Sequence, residues 1–155
     1  MTKLLVLSDS HGGRAAIERV LMKESKSIDA LIFLGDGLRD LELALTLCPK
    51  LRAYSVAGNC DYGALEPTDG LAAFDGVVIF YTHGHMYGVK YDLDTLADAA
   101  SARGAEVALF GHTHIPHAET PQQGVPVQPR LLRPVLHRAG HLRHPDAGRR
   151  QSDRL

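Results

Sequence analysis

The fold is decided by Glu106-Val107-Ala108-Leu109-Phe110-Gly111-His112-Thr113-His114, a short apolar run that ends in a glycine and two histidines. Such a run predicts a buried strand, and the glycine lets the backbone turn sharply after it. Four stretches upstream have the same form. The five strand candidates are 3–8, 29–34, 51–57, 77–81 and 106–110, and the upstream four end in Asp9-Ser10-His11, Gly35-Asp36, Gly58-Asn59-Cys60-Asp61 and Thr82-His83-Gly84-His85.

Segments with helical spacing of apolar residues separate most of these strands. Helices are predicted over 14–26, 38–47 and 91–102, and Pro49 and Gly104 follow the last two as stop signals. Strands that alternate with helices indicate βαβ units and a largely parallel sheet. Because the strands are almost continuously apolar, that sheet should be covered on both faces. The sequence therefore predicts an α/β protein.

Side chains that bind metals follow all five strands. In open α/β sheets, ligands bind beyond the carboxyl ends of the strands. One such residue is most often a helix cap or a turn residue, but five strand ends that agree indicate a common site. Nitrogen and oxygen ligands without a thiolate suit Mn, Fe, Ni, Zn or Co better than Ca or Cu(I), and their number suits two ions that share a carboxylate. The candidate ligands are Asp9, His11, Asp36, Asn59, His83, His112 and His114.

Length and composition bound the class of protein. A chain of 155 residues, 45% hydrophobic and 23% charged, is typical of one globular domain. Its two cysteines, Cys48 and Cys60, exclude a disulfide framework. No apolar run approaches the roughly 18 residues of a membrane span, and Asp9 and Asp29 come too early for an export signal. We therefore expect a cytoplasmic protein that does not act at a membrane.

The five ordered motifs resemble the signature of the calcineurin-like metallophosphoesterases over about residues 1–117. The short chain and the Gly58-Asn59-Cys60-Asp61 form of the third motif resemble the small prokaryotic phosphodiesterase branch (YfcE type). The resemblance implies an αββα sandwich, in which two mixed β-sheets pack face to face between outer helices. It also implies a phosphodiesterase that acts on a small phosphoester substrate.

The same resemblance implies a role for each ligand. Asp9, His11 and His114 would hold one divalent metal ion, and Asn59, His83 and His112 a second, with Asp36 bridging the two. A hydroxide between the metals would attack phosphorus in line. Mn²⁺ is the first choice for both ions, with Ni²⁺, Fe²⁺, Zn²⁺, Co²⁺ and Mg²⁺ as alternatives.

Two further residues are candidates for catalysis beside Asp36 and Asn59. Many larger members of the family carry a histidine where this chain has Cys60, and a neutral thiol is a poorer general acid than an imidazole. His85 is placed to replace that imidazole in part. The alternatives are packing for Cys60 and a position at the rim for His85. Asp61 either orients Asn59 or caps the next turn, and we favour the capping role. Three tyrosines near the motifs either line a substrate pocket or pack against the fold, namely Tyr62, Tyr87 and Tyr91.

A change in composition near residue 120 divides the chain into two segments. Residues 1–120 carry a net charge of −6, and residues 121–155 carry +5 with seven Arg, five Pro and three His. We predict a metallophosphoesterase domain over 1–120. The segment 121–155 is an extension, a set of altered last strands or a frame-shifted end. An open sheet edge there would favour a homo-oligomer, and the histidines at 137, 141 and 144 are candidates for adventitious metal binding.

Two other functions compete with the phosphodiesterase. The resemblance allows a non-catalytic scaffold for protein partners, because the retromer subunit of this fold acts mainly as a binding platform and has a degraded metal site. The intact set of seven ligands argues against that role. A nucleic-acid binder would use the Arg-rich C-terminal segment, which lacks aromatic residues for base stacking, so nucleic acid is not expected as the main partner.

Overall fold

The computed structural model describes residues 1–115 and the backbone of two further strands, 117–119 and 130–133. The histidines at 137, 141 and 144, and most of the predicted C-terminal segment, lie outside the described residues. Within the described part, no helix combines the length and the apolar character needed to cross a membrane.

The first sheet is parallel throughout. Its strands are β1 (Leu4–Leu7), β2 (Ala30–Phe33) and β3 (Arg52–Ser55), in the order β1-β2-β3. Helices α1 (Arg14–Glu24) and α2 (Leu38–Leu45) connect them. Every residue of β2 is buried, as expected for a central parallel strand covered on both faces. These two βαβ units confirm the alternation predicted for the first half of the chain.

The second sheet is mixed and has the order β4-β5-β6-β8-β7. Its strands are β4 (Asp69–Phe74), β5 (Val77–Thr82), β6 (Val107–Phe110), β7 (His117–Glu119) and β8 (Arg130–Arg133). β4 pairs antiparallel with β5, whereas β6 lies parallel to both β5 and β8. Helix α3 (Asp94–Ala102) connects β5 to β6. The segment after residue 120 thus contributes β8, and His117 lies in strand β7.

Three apolar clusters build the layers. One joins α1 and α2 to the first sheet, and a second joins α3 to the second sheet. The third lies between the sheets, where Val6 and Ile32 of the first sheet, with Val56 directly after β3, pack with Ile79 and Leu109 of the second. The sandwich of two sheets between outer helices is therefore confirmed. Its two layers of strands bring the carboxyl ends of β1, β2, β3, β5 and β6 to one edge.

Several details differ from the sequence-based expectation. β4 was not predicted, although Asp75 and Gly76 form a tight turn to β5 with both φ values positive, at 50° and 83°, as two-residue hairpins require. Helix α3 begins at Asp94 rather than at residue 91, because the N–H of Tyr91 is hydrogen-bonded to the carbonyl of Gly88 in a preceding turn (2.8 Å). Helices α1 and α2 each end two residues earlier than predicted.

Candidate metal centre

The loops that follow five strands are joined directly by hydrogen bonds. The N–H of Asp9 donates to the carbonyl of Gly35 (2.9 Å), and the N–H of His11 donates to that of Asp36 (3.1 Å). Between the sheets, the N–H of His112 donates to Oδ2 of Asp9 (3.2 Å). The predicted ligands therefore share one site that spans both sheets.

The backbone at this site is unusual. Six non-glycine residues of the described chain have positive φ, and all but Asp75 are predicted metal ligands. Such conformations are uncommon for residues with a Cβ and concentrate at functional sites. The five ligands concerned are Asp9 (56°), His11 (43°), Asp36 (57°), His112 (66°) and His114 (57°).

Three of the predicted ligands form what we call the outer group, Asp9, His11 and His114. The ligand atoms of these three lie within 4.8 Å of one another. His114 Nε2 is 3.2 Å from His11 Nε2 and 3.2 Å from Asp9 Oδ1. The imidazoles are solvent-accessible, with 39% of the His11 side chain and 56% of the His114 side chain exposed.

Three others form the inner group, Asp36, His83 and His112, which is more deeply buried. The side chains of His83 and Asp36 are 0% and 2% exposed. His83 Nε2 lies 3.1 Å from His112 Nδ1, 3.3 Å from Asp36 Oδ2 and 3.1 Å from Oδ1 of Asn59. Because His83 Nδ1 donates to the carbonyl of Leu34 (2.6 Å), Nε2 is the nitrogen that faces the site.

Asp36 belongs to both groups by position. Its Oδ1 accepts the N–H of Cys60 (2.8 Å). Its Oδ2 lies 3.3 Å from His83 Nε2 of the inner group and 3.7 Å from His11 Nε2 of the outer group. One carboxylate oxygen therefore stands between the two sets of imidazoles, as a bridging ligand must.

The donor spacing fits divalent metal ions. Two atoms that bind one ion at about 2.1 Å lie roughly 3.0–3.5 Å apart for angles between 90° and 110°. Two contacts in each group, at 3.1–3.3 Å, match this spacing, whereas His11 Nε2 lies farther from Asp9 Oδ1, at 3.8 Å. The bond from His83 Nδ1 to a backbone carbonyl is also the arrangement that fixes the tautomer of metal-binding histidines.

Protonation at the inner group also suits metal binding. Burial on its own raises the pKa of Asp36, but the hydrogen bonds from His83 and the Cys60 N–H outweigh it, and the pKa is lowered. Burial and the adjacent His83 charge lower the pKa of His112 to about 4, so this imidazole is neutral at pH 7. Burial opposes protonation of His83, yet the hydrogen bond to Asp36 raises its pKa. His112 therefore offers a neutral ring nitrogen to a metal ion, whereas the raised pKa of His83 makes a proton compete with the metal there.

The predicted catalytic residues outside the ligand set lie at the same place. Cys60 is exposed, and its Sγ comes within 4.8 Å of ligand atoms of His11 and Asp36. The ring of His85 lies 5.4 Å from that of His83 and 6.2 Å from that of His112. Its buried Nδ1 has no hydrogen-bond partner among residues 1–115.

Some neighbours of the site have other roles. Tyr87 donates a hydrogen bond to Asp69 (2.6 Å) and packs edge-on against Phe80, so the packing alternative holds for this tyrosine, whereas Tyr62 and Tyr91 are exposed. Asp40 was not predicted, yet its Oδ2 accepts the Ser10 hydroxyl (2.8 Å) and the Gly12 N–H (2.9 Å). It holds the loop that carries His11, and nothing local in the sequence signals this contact.

Comparison with known proteins identifies relatives of this arrangement. The family model of the calcineurin-like phosphoesterase superfamily domain matches residues 2–143, a range that runs past residue 120. The probable metallophosphoesterase YsnB of Bacillus subtilis is 32% identical over 84% of this chain and 75% of its own length. Phosphodiesterase YfcE of Escherichia coli K12 is 30% identical over 77% of this chain and 73% of its own length.

Solved structures share the architecture. A predicted phosphoesterase from Streptococcus pneumoniae is 27% identical, with a TM-score of 0.72 over 86% of this chain and 72% of its own. Vacuolar protein sorting 29 of Cryptosporidium parvum is 15% identical, with a TM-score of 0.68 over 86% of this chain and 74% of its own, and shows likeness of fold alone. The fold therefore occurs in proteins with different names and roles.

Proposed function

The chain belongs to the calcineurin-like phosphoesterase superfamily, and on that premise we propose that it is a phosphodiesterase that depends on two divalent metal ions. The observation that carries this proposal is the position of Asp36 Oδ2, between His83 of the inner group and His11 of the outer group (3.3 and 3.7 Å). A carboxylate oxygen in this position can be shared by two adjacent ions.

The two ions would have separate ligands apart from Asp36. Asp9, His11 and His114 would hold one, and Asn59, His83 and His112 the other. Bound divalent ions supply Lewis acidity toward phosphoryl oxygens and lower the pKa of water, which is the chemistry that hydrolysis of a phosphate ester needs. Mn²⁺ is the ion we propose first, because this mixed nitrogen and oxygen set suits it.

The chain itself orients the ligands. Leu34 holds the ring of His83 through its carbonyl, and the N–H of Cys60 holds Oδ1 of Asp36, so that Oδ2 faces both groups. Because these partners are backbone atoms, the ligand orientation does not depend on the substrate. The site is preorganised for a phosphoryl group, which needs positioning and charge neutralisation more than covalent chemistry.

Assistance to the leaving group is the weak part of the site. Cys60 stands where many larger relatives carry an imidazole, and a thiol is a poor general acid near neutral pH. His85, next to His83 and His112 with its Nδ1 unbonded within the described chain, is the residue placed to contact the substrate. We therefore propose modest turnover, with a preference for small phosphodiesters whose leaving group needs little protonation.

The alternative function is a non-catalytic scaffold for protein partners. It is favoured by the likeness of fold to vacuolar protein sorting 29. Against it stands the complete set of seven predicted ligands, which the described residues bring together with donor spacing suited to metals. Binding of a protein partner, together with no hydrolysis of any phosphoester whichever metal ion is supplied, would establish this alternative.

We also propose a cytoplasmic location for this enzyme. Its two cysteines are both free, and the exposed Cys60 thiol adjoins the metal ligands. A reducing compartment keeps such a thiol from oxidation. Fractionation of the cells that make the protein would test this location.

The decisive experiment combines metal analysis with a panel of substrates. Metal-free protein is loaded in turn with Mn²⁺, Ni²⁺, Mg²⁺ and Zn²⁺, and the bound metal is counted. Hydrolysis of phosphomonoesters and phosphodiesters, including bis-p-nitrophenyl phosphate, is then measured. We expect two ions per chain and faster hydrolysis of diesters. Binding of one ion at most under saturating Mn²⁺ would contradict the bridging role of Asp36.

A further inference from the structure

The carboxylate of Asp61 accepts four backbone N–H groups from two different loops. Its Oδ2 accepts those of Asp36 (2.7 Å) and Gly58 (2.8 Å). Its Oδ1 accepts those of Gly37 (2.8 Å) and Leu38 (2.9 Å). A carboxylate has about four acceptor sites, so this side chain is fully used by backbone donors.

Two turns meet at this carboxylate with no space between them. A Cβ on Gly58 would lie 2.1 Å from Asp36 Oδ1 and 2.6 Å from the Asp36 backbone nitrogen. Glycine at 58 therefore allows the turn that carries Asn59 to lie directly against the turn that carries Asp36. The N–H groups of both turns point at one spot, and an acceptor there is needed because unpaired backbone donors are costly.

This contact fixes how Asp36 and Asn59 face each other. The N–H of Asp61 closes the second turn on the carbonyl of Gly58 (3.2 Å). Within that turn, the N–H of Cys60 holds Asp36 Oδ1 (2.8 Å). Asn59 Oδ1 then lies 3.1 Å from His83 Nε2. The position of the shared carboxylate thus depends on the turn that Asp61 anchors.

Capping of helix α2 does not account for these bonds. A cap would need only the N–H groups at the helix start, Gly37 and Leu38, which Oδ1 accepts. Oδ2 instead accepts from Asp36, before the helix, and from Gly58, in the other loop. The carboxylate has one oxygen for the helix and one for the junction of the two ligand turns.

We propose that Asp61 is a positioning residue that sets the metal affinity of the centre by fixing Asp36 and Asn59 relative to each other. It binds no metal itself, since both of its oxygens are occupied by N–H groups. The inference rests on the proposed function, because it assumes that Asp36 and Asn59 hold metal ions. It adds a residue outside the donor set whose loss weakens metal binding.

Asp61→Asn is the direct test. The amide keeps the size of the side chain, but its NH₂ group would face two N–H donors, so two of the four bonds are lost in either orientation. Partners that orient metal ligands typically change metal affinity about 10–100-fold when mutated. We expect a loss in this range for Mn²⁺, measured by titration of the metal-free full chain and detected as free Mn²⁺ by electron paramagnetic resonance.

The matched control is Ala44→Gly. It weakens the same helix α2 at a buried position six residues after Leu38, and leaves in place the Asp61 carboxylate that accepts the four N–H groups. Thermal unfolding of the metal-free forms shows how much each variant is destabilised. We expect Ala44→Gly to lower the unfolding temperature and to leave the Mn²⁺ affinity unchanged. Asp61→Glu, which keeps the charge but displaces it, should bind Mn²⁺ with intermediate affinity and provides the test should Asp61→Asn fail to fold.

The outcomes separate this inference from the proposed function. Unchanged Mn²⁺ affinity in a folded Asp61 variant, with a stability loss like that of Ala44→Gly, overturns the positioning role and leaves the phosphodiesterase intact. Weakened Mn²⁺ binding supports the positioning role even where wild type hydrolyses no diester, a result that rejects only the activity. A wild-type chain that binds no Mn²⁺ overturns both.

Discussion

The outer and inner groups differ in how the chain holds them. His11 and His114 of the outer group stack on each other with ring centroids 5.1 Å apart and are partly open to solvent. His83 of the inner group is fully buried and anchored by a backbone carbonyl. His83 and Asp36 are therefore oriented before a metal binds, whereas the outer imidazoles lose side-chain freedom on binding.

Because the two groups differ in burial and anchoring, we expect them to contribute unequally to stability and to metal binding. The inner group draws on both sheets, since Asp36 follows β2 whereas His83 and His112 follow β5 and β6, and the side chains of Asp36 and His83 are buried there. The two imidazoles of the outer group contribute little to the fold because they are exposed, whereas the buried Asp9 of the same group accepts the N–H of His112. Asp36 contacts imidazoles of both groups. Substitutions at Asp36, among the other inner ligands and in the outer group should therefore have distinct effects on activity, stability and metal content.

The largest effect is expected at Asp36, because both groups depend on it. Asp36→Ala should lower kcat/KM about 10³-fold or more, which corresponds to a loss of several kcal/mol of transition-state stabilisation. The rate constant kcat/KM for bis-p-nitrophenyl phosphate at saturating Mn²⁺ checks this. Asp98→Ala, which removes an exposed carboxylate from helix α3, is the control and should retain full activity. A similar loss in both variants would refute the special role of Asp36.

Stability should distinguish the groups next. His83→Ala leaves the carbonyl of Leu34 without its partner, and an unsatisfied buried group costs about 1–3 kcal/mol. His114→Ala should change the free energy of unfolding by less than about 0.5 kcal/mol, as exposed substitutions do. Denaturation of the metal-free proteins by urea measures both. Equal stability losses would show that the inner group is no better integrated into the fold than the outer group.

Metal release should follow the same order. We expect a chelator to remove the outer ion first, with dissociation constants that differ by about tenfold or more, because backbone partners orient His83 and Asp36. Stepwise dialysis of the Mn²⁺ form, followed by metal analysis, measures this. The His114→Ala variant assigns the steps, since it should lack the weaker site. Retention of only the weaker site in that variant would reverse the assignment.

The seven ligands could be predicted from the sequence because each lies just after an apolar strand, a pattern that depends only on neighbouring residues. The outer helices and the first sheet were predictable for the same reason. β4 was missed although Asp75-Gly76 is a local hairpin signal, because its strand has only partial burial and a weak apolar pattern. The contacts of Asp40 were not predictable, and the turn-capping role favoured for Asp61 was wrong, because its carboxylate accepts N–H groups from two loops upstream of it that only the folded sheet brings together.

The smallest effect is expected at Cys60, where the two groups meet. Cys60→His introduces the imidazole that many larger members of the family carry at this position, where we expect it to lie near the leaving group. A well-placed general acid contributes about 10²–10⁴-fold, but an imidazole without tuned neighbours should add about tenfold at most. Because only a poor leaving group needs a proton, the gain should be larger for alkyl esters than for nitrophenyl esters.

The measurement is kcat/KM of variant and wild type across diesters whose leaving groups rise in pKa, with Mn²⁺ content determined in parallel. Cys60→Ser is the control, because it removes the thiol without adding an imidazole, and its ratio of kcat/KM to that of wild type should stay constant across the series. Metal content should stay the same in all three proteins, since none of the seven ligands is altered. A ratio of Cys60→His to wild type that stays flat or falls along the series would exclude position 60 from leaving-group chemistry. The exposed Cys60 side chain would then act only through its contact with Asn59, whose Nδ2 donates a hydrogen bond to the thiol sulfur (3.4 Å).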